Sequence, residues 1–397
     1  MRSEWRVVRA ADVIEFNPSL RLPKGTLAPK IAMEKLLPFT KRVDGTTTES
    51  YAGGAKFCNG DTIMARITPC LENGKTAFVD VLQDGEVGFG STEFIVLRAR
   101  PGITDAQYVY YLSISSTFRQ IAIKSMVGSS GRQRVQQSVL DDMILDLPPL
   151  KEQTEIGKCL AMLDERIALN NRLNDNLLQQ AMSIFTSWFI RFDQFLGQMP
   201  ESWEEVTLDN LCSLVSRGIT PRYDDTSEQI VINQKCIRDH VLDLTQARHH
   251  LPKVINEKWL KFGDLLINST GEGTLGRTAQ VYFEPVNMTV DSHVTIARPA
   301  KDYLVFYVGM WGLLHEREIE ALHTGSTGQT ELPRERLKSM KLILPDKETL
   351  VRFNTTIAPL TQMIVHNQDE NTHLASLRDS LLPRLMSGEI DVSSIIL

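Results

Sequence analysis

The sequence predicts a mixed α/β (α+β) fold written twice: two globular domains in tandem, each followed by a long helix. The two helices are expected to pair as an antiparallel coiled coil about a pseudo-twofold axis. Three observations predict this: an internal repeat close to 200 residues, a 4-3 apolar seam late in each copy, and short β-branched runs broken by Gly, Pro, Asn and Asp at the start of each copy.

The repeat is visible by eye. "WRVVRAADV" from Trp5 matches "WEEVTLDNL" from Trp203, and "GDTIMARITPCLENGKTAFV" from Gly60 matches "GDLLINSTGEGTLGRTAQVY" from Gly263. "EFIVLRAR" aligns with "HVTIARPA", "VGSSGRQRV" with "TGSTGQTEL", and "DDMILDLPP" with "KSMKLILPD". The offset drifts between 203 and 197 and then holds at 197 to near the C-terminus. A period this long is a domain-plus-tail module rather than a solenoid repeat. It divides the chain into a first domain (1–147), a long helix (148–192), a second domain (200–344) and a second long helix (345–390).

Within each domain, "AQYVYYLSISSTFRQIAI" and "VFYVGMWGLLHEREIEAL" have apolar spacing nearer 3.6 than 2 and read as helix. Pro148-Pro149 sets the start of the first long helix. Its seam is Ile156, Leu160, Leu163, Ile167, Asn170, Asn174, Leu177, Ala181, Ile184 and Trp188. Adding 197 gives Phe353, Ile357, Leu360, Ile364, Asn367, Asn371, Leu374, Arg378, Leu381 and Leu385. Neither apolar stripe has a cover within its own copy, so each helix is the simplest cover for the other. Antiparallel pairing brings the Asn residues together at the centre, where buried polar groups cost stability but fix register. Pro359 is expected to kink the second helix.

Composition excludes several classes. The net charge is −6, and no segment is strongly basic: residues 1–150, 151–200, 201–345 and 346–397 carry +2, −1, −4 and −3. Any nucleic-acid surface is therefore a local groove. Cys58, Cys70, Cys159, Cys212 and Cys236 show no C-x-x-C spacing, which argues against a disulfide framework or zinc site and suits a reducing cytoplasm. No apolar run reaches the ~18 residues of a membrane span, and the chain is expected to be soluble and cytoplasmic.

The stretch "STGEGTLGRTAQVYF" spaces Gly271, Gly273 and Gly276 as G-x-G-x-x-G. A dinucleotide site needs a helix after those glycines, but "RTAQVYF" alternates like a strand. The other copy, "ITPCLENGKTAFV", lacks two of the glycines and instead imitates the end of a P-loop, with Pro69 where that motif needs glycine. One loop resembling two unrelated motifs in its two copies is read as a strand–turn–strand corner. There is no H-E-x-x-H, the His249-His250 doublet reads as a solvated pair, and Asp346 reads as a helix cap. No catalytic constellation recurs in both copies, and a duplicated domain on a spacer suits a binding device.

Taken in order, the two "GD" stretches, the "GSSGRQ" and "GSTGQT" turns, "LPPLKEQTEIGKCLAMLDERI" and the ending "LLPRLMSGEI" give the chain its resemblance to the specificity (S) subunits of Type I restriction–modification systems. The resemblance covers essentially the whole chain. It implies two target-recognition domains, each reading half of a bipartite DNA site, and a coiled coil that docks two modification (M) subunits. It implies that those subunits use S-adenosylmethionine to methylate adenine at N6, and that restriction (R) subunits add ATP- and Mg-dependent nuclease activity. No catalysis and no cofactor is implied for this chain itself. Two departures stand out: the first copy's loop is poor in glycine, and Pro359 replaces Met162. The former implies different half-sites.

Base readout favours Arg, Gln, Asn, Ser and Thr on exposed turns, while Lys and backbone N–H groups grip phosphate. The candidates in the first domain are Arg66, Lys75, Ser129, Ser130, Arg132, Gln133 and Arg134. In the second they are Arg217, Thr220, Arg222, Tyr223, Ser269, Thr270, Arg277, Ser326, Thr327, Gln329 and Thr330. The alternative from another class is a non-catalytic protein–protein scaffold, which the acidic charge favours.

Overall fold

The computed structural model describes residues 4–129, 131–325 and 330–392. The chain forms two compact units, residues 1–169 with 370–397 and residues 170–369. Each domain is therefore grouped with part of both long helices, not only with the helix that follows it.

In the first unit, a four-stranded antiparallel sheet runs in the order Ile14–Phe16, Phe94–Ala99, Thr62–Ala65, Thr76–Phe78. The second unit repeats it as Cys212–Arg217, Val294–Pro299, Leu265–Asn268, Thr278–Gln280. The central strands Thr62–Ala65 and Leu265–Asn268 are buried throughout, as expected for apolar runs covered on both faces. A second sheet in each unit contains one parallel pair, Leu27–Ile31 with Gly88–Gly90 and Ile230–Ile232 with Met288–Val290. A short ribbon closes each domain, pairing Arg6–Arg9 with Ile144–Leu147 and Glu204–Thr207 with Lys341–Leu344.

One buried ion pair is built twice. Arg98 meets Asp61 at 2.6 Å, and Arg298 meets Asp264 at 2.7 Å. In each case the carboxylate also accepts a backbone N–H, from Cys58 or Lys261, which fastens the turn before the central strand. Each carboxylate accepts three hydrogen bonds, which offsets the cost of burying its charge.

Both expected internal helices split in two. Ala106–Ile114 is followed by Ser116–Lys124 because Ser115 adopts ψ 148° and caps the second piece by accepting from Phe118 N. Val305–Leu314 is separated from Glu316–Ala321 at His315.

The long helices run Leu150–Phe185 and Lys347–Met386. The first begins directly after Pro148-Pro149, and a π-helical turn, Thr186–Ile190, extends it and carries Phe189 into an aromatic cluster with Phe185, Trp203, Tyr307 and Phe353. Every seam position expected from the 4-3 pattern is buried or half-buried. In the second unit Asn367 Nδ2 donates to Asn174 Oδ1 at 2.8 Å, and Asn174 Nδ2 reaches Ile364 O at 3.4 Å. In the first unit Arg166 pairs with Glu370 and Asp164 with Arg378. In both units partner numbers fall on one helix as they rise on the other, which is antiparallel pairing. The second helix continues unbroken through Pro359, whose exposed position leaves the freed Thr355 carbonyl open to water. Asp346 caps it as expected, accepting from Thr349 N at 2.9 Å and from Trp203 Nε1 at 2.9 Å.

Candidate nucleic-acid interface

The glycine loop is a strand–turn–strand corner. Leu265–Asn268 and Thr278–Gln280 are antiparallel neighbours, and Gly271, Gly273 and Gly276 all have positive φ. At Gly276 a Cβ would also meet Glu320 N at 2.9 Å, so both conformation and space require glycine. No phosphate-binding helix follows.

Three segments distant in sequence converge beside this corner in each domain. In the first, Arg134 bridges to both Ile67 and Val127; in the second, Glu331 bridges to both Thr270 and Thr324. The third segment enters just ahead of the sheet's long strand, at Glu93 in one copy and His293 in the other. The backbone is repeated while its side chains differ. In the first domain Arg134 donates through Nε and Nη2 to Glu93 at 2.6–3.0 Å, a fork-to-carboxylate pair that holds the Glu93 carboxyl below its usual range. In the second domain the turn residue is the acid: Glu331 receives Arg217 Nη1 at 2.5 Å. There Thr270 Oγ1 lies 2.7 Å from His293 Nδ1 and 3.3 Å from Gln234 Oε1.

The expected site residues divide into several groups. Exposed at or beside the turns are Ser129, Arg132 and Arg134, with Gln133 and Thr330 half-buried. Thr220, Arg222 and Tyr223 lie on an exposed loop, where the Arg248 guanidinium stacks 3.5 Å from the Tyr223 ring. Others are tied to the domain's own backbone: Arg66 to Val135 O (3.1 Å), Lys75 to Met33 O (2.9 Å), Arg217 to Leu332 O (2.8 Å) and Arg277 to Gly273 O (2.8 Å). Ser269 requires correction. It is fully buried, with its hydroxyl 2.6 Å from Thr295 Oγ1, because it directly follows the covered strand Leu265–Asn268. The His249-His250 doublet is not a solvated pair either, since His250 is buried, and burial lowers its imidazole pKa. Ser130, Ser326, Thr327 and Gln329 lie outside the described residues.

Sequence reasoning missed Glu93, His293 and Gln234. The signal available was a contrast: the strand after them keeps Arg98/Arg298 in both copies, while the residue ahead of it changes from acid to imidazole. Among the described residues no group of three or more His, Cys, Asp or Glu could hold a metal ion, and no helix is long and apolar enough to cross a membrane.

A duplicated domain, each copy seated on stretches of the same two helices and carrying one polar corner of its own, defines a two-headed binding protein. Residues 2–179 match the family model described as Type I restriction modification DNA specificity domain. The Type I restriction enzyme MjaIX specificity subunit of Methanocaldococcus jannaschii is 24% identical over 319 residues, 73% of this chain and 70% of that one. The MjaVIII specificity subunit of the same organism is 22% identical over 99% of this chain and 94% of its own. The solved Type-I restriction-modification system S subunit from M. genitalium has the same fold, with a TM-score of 0.57 at 16% identity over 96% of each chain. Residues 2–179 thus resemble a Type I DNA specificity domain, and over most of its length the chain is similar to Type I restriction enzyme specificity subunits.

Proposed function

We propose that this protein is the DNA sequence-specificity subunit of a Type I restriction–modification complex, reading a bipartite, asymmetric site with one domain for each half. The observation that carries the reading is the corner built twice on one backbone and furnished with different side chains. A shared scaffold with divergent polar groups is what recognition of two different half-sites requires.

The chain's part is to bind and orient. Exposed Arg132 and Arg222 are suited to phosphate contacts, and the acidic remainder confines DNA to those local surfaces. Methyl transfer from S-adenosylmethionine to adenine N6 is assigned to two modification subunits, and ATP- and Mg-dependent cleavage to restriction subunits. The chain itself is assigned no catalytic role, and the complex acts on DNA in the cytoplasm.

The test is an adenine-methylation map of cells expressing the chain with its modification partner. A bipartite motif is expected, and exchanging residues 1–147 for those of another specificity subunit should change one half only. Methylation with an unaltered motif after the exchange would refute the assignment of half-sites to domains. A mobility shift of the assembled complex that treats specific and random duplex alike would favour the scaffold reading instead.

A further inference from the structure

We propose that His293 is a base-reading residue of the second domain, using a neutral imidazole whose Nε2 accepts a hydrogen bond from an exocyclic amine, adenine N6 or cytosine N4, in the major groove. This inference rests on the DNA-targeting reading above and adds to it a residue and the base chemistry it selects.

The tautomer follows from the relay beneath the ring. Gln234 Oε1 can only accept, so Thr270, 3.3 Å away, donates its single hydroxyl proton there. With that proton committed, the Thr270 oxygen can only accept from the group 2.7 Å on its other side, His293 Nδ1. Nδ1 therefore carries the ring proton, and in neutral imidazole Nε2 is left as an acceptor. The relay is held in place. Asn268 Nδ2 donates to Gln234 O at 3.1 Å, and the His293 backbone N–H donates to Asp291 Oδ1 at 2.9 Å. Gln234 and Thr270 are half-buried while His293 is exposed, so the relay is supported from below and its end faces solvent.

An acceptor at this place selects donors. On the major-groove edges of the base pairs the donors are the amines of adenine and cytosine, whereas guanine N7 and O6 and thymine O4 are acceptors that would face the Nε2 lone pair unfavourably. The corresponding residue of the first domain, Glu93, is also an acceptor, but its carboxylate is taken by the Arg134 fork. That corner therefore offers guanidinium N–H donors from Arg134, and the two corresponding corners present opposite hydrogen-bonding character.

The experiment uses the assembled complex and a duplex carrying the mapped motif. Within the half assigned to the second domain, each adenine is replaced in turn by purine and each cytosine by 2-pyrimidinone, which lack the exocyclic amine. One such replacement should weaken binding by the wild-type complex roughly tenfold, about the value of one good hydrogen bond. With His293→Ala the parent duplex should bind correspondingly less tightly, and the same replacement should cost nothing further. Thr270→Val, which keeps the imidazole but removes the acceptor for Nδ1–H, should reduce the discrimination at that position alone, and it provides the readout if His293→Ala assembles poorly. An amine-free duplex that costs the wild-type and His293→Ala complexes equally would overturn the inference. So would equal weakening of specific and random duplex, which marks a phosphate contact. If wild type yields no bipartite motif, the DNA-targeting reading falls first and the inference with it; a motif with no His293-dependent position sinks the inference alone.

Discussion

In the first unit the long helices are joined by a charge pair, Arg378 Nη1 to Asp164 Oδ1 at 2.7 Å, with both side chains almost buried. Adding 197 to 164 and subtracting it from 378 moves to the other copy, where the same two places hold Thr361 and Ala181. These are fully covered, and the Thr361 hydroxyl is satisfied by the carbonyls of Ile357 and Ala358 on its own helix. One end of the helix pair thus carries a polar lock that the other lacks. The lock reaches into the domain, since Tyr111 Oη donates to Asp164 Oδ2 at 2.6 Å. Lys41 lies 5.2 Å from the centre of the Tyr111 ring, and its ammonium is pushed to lower pKa by burial. The repeat therefore preserves the backbone and the seam while leaving the means of fixing register free to differ.

The largest expected effect breaks that lock. Asp164→Ala leaves Arg378 and the Tyr111 hydroxyl without their buried acceptor and should cost about 3–5 kcal/mol in urea unfolding. Thr361→Ala, its counterpart, should cost no more than about 1 kcal/mol. Installing the second copy's pair in the first, Asp164→Thr with Arg378→Ala, should recover much of the loss, because it removes both charges together. A double variant as unstable as Asp164→Ala would show that packing at the site, rather than the stranded charge, sets the cost.

Where both copies keep the same device, the contrast is one of degree. Arg298 is 11% exposed, and besides Asp264 it donates to Glu257 O and Trp259 O, whereas Arg98 is 26% exposed. Arg298→Met should destabilise by about 3 kcal/mol and Arg98→Met by about 2 kcal/mol, the difference tracking the burial of the arginine and its extra carbonyl partners, since both carboxylates are equally covered. Equal losses would indicate that burial is not what distinguishes the two sites.

Much of the architecture was legible because it rests on period. The 4-3 spacing from Ile156 and its echo from Phe353 depend only on residues near in sequence, and every seam position is covered. Arg378 stood in that seam with no visible reason, since its partner Asp164 lies one residue off the pattern, beside Leu163. The recognition corner was less legible, because residues 67, 93 and 134, or 270, 293 and 331, meet only after the sheet has formed. Ser269 illustrates the cost of reading polarity as exposure: a hydroxyl bonded to Thr295 can be fully covered just past the end of a strand. Lys75 and Arg277 were legible as cations on the corner but not as groups tied to their own backbone carbonyls.

A smaller gain is expected at the polar centre of the seam. Replacing Asn174 and Asn367 together by Leu removes both partners of a half-buried hydrogen bond and should stabilise by about 1 kcal/mol. The same change should permit slipped helix registers, detectable as heterogeneous disulfide trapping between cysteines placed on facing seam positions. A variant no more stable than wild type would mean that these amides are already as favourable as packed leucines.

The smallest effect separates the domains by pH, because the first contains no histidine. In the second, His240 Nδ1 lies 3.3 Å from Glu316 Oε1, and the carboxylate also accepts from Thr278 N at 2.5 Å. The Glu316 carboxylate holds His240 above its ordinary 6.5 against the opposing effect of burial. Burial works to raise Glu316, yet His240 and the Thr278 amide keep it below 4.5. The His240 contribution is complete below 6.5 and is lost as pH rises through its higher folded value, while that of Glu316 is complete above 4.5 and is lost as pH falls through its lower folded value. The pair therefore stabilises the second domain most between those limits, by about 1 kcal/mol at most. The stability difference between wild type and His240→Ala should peak near pH 5.5, roughly midway between those values, and decline on the alkaline side. A difference that stays constant into the alkaline range would assign the role of His240 to packing of its turn rather than to its charge.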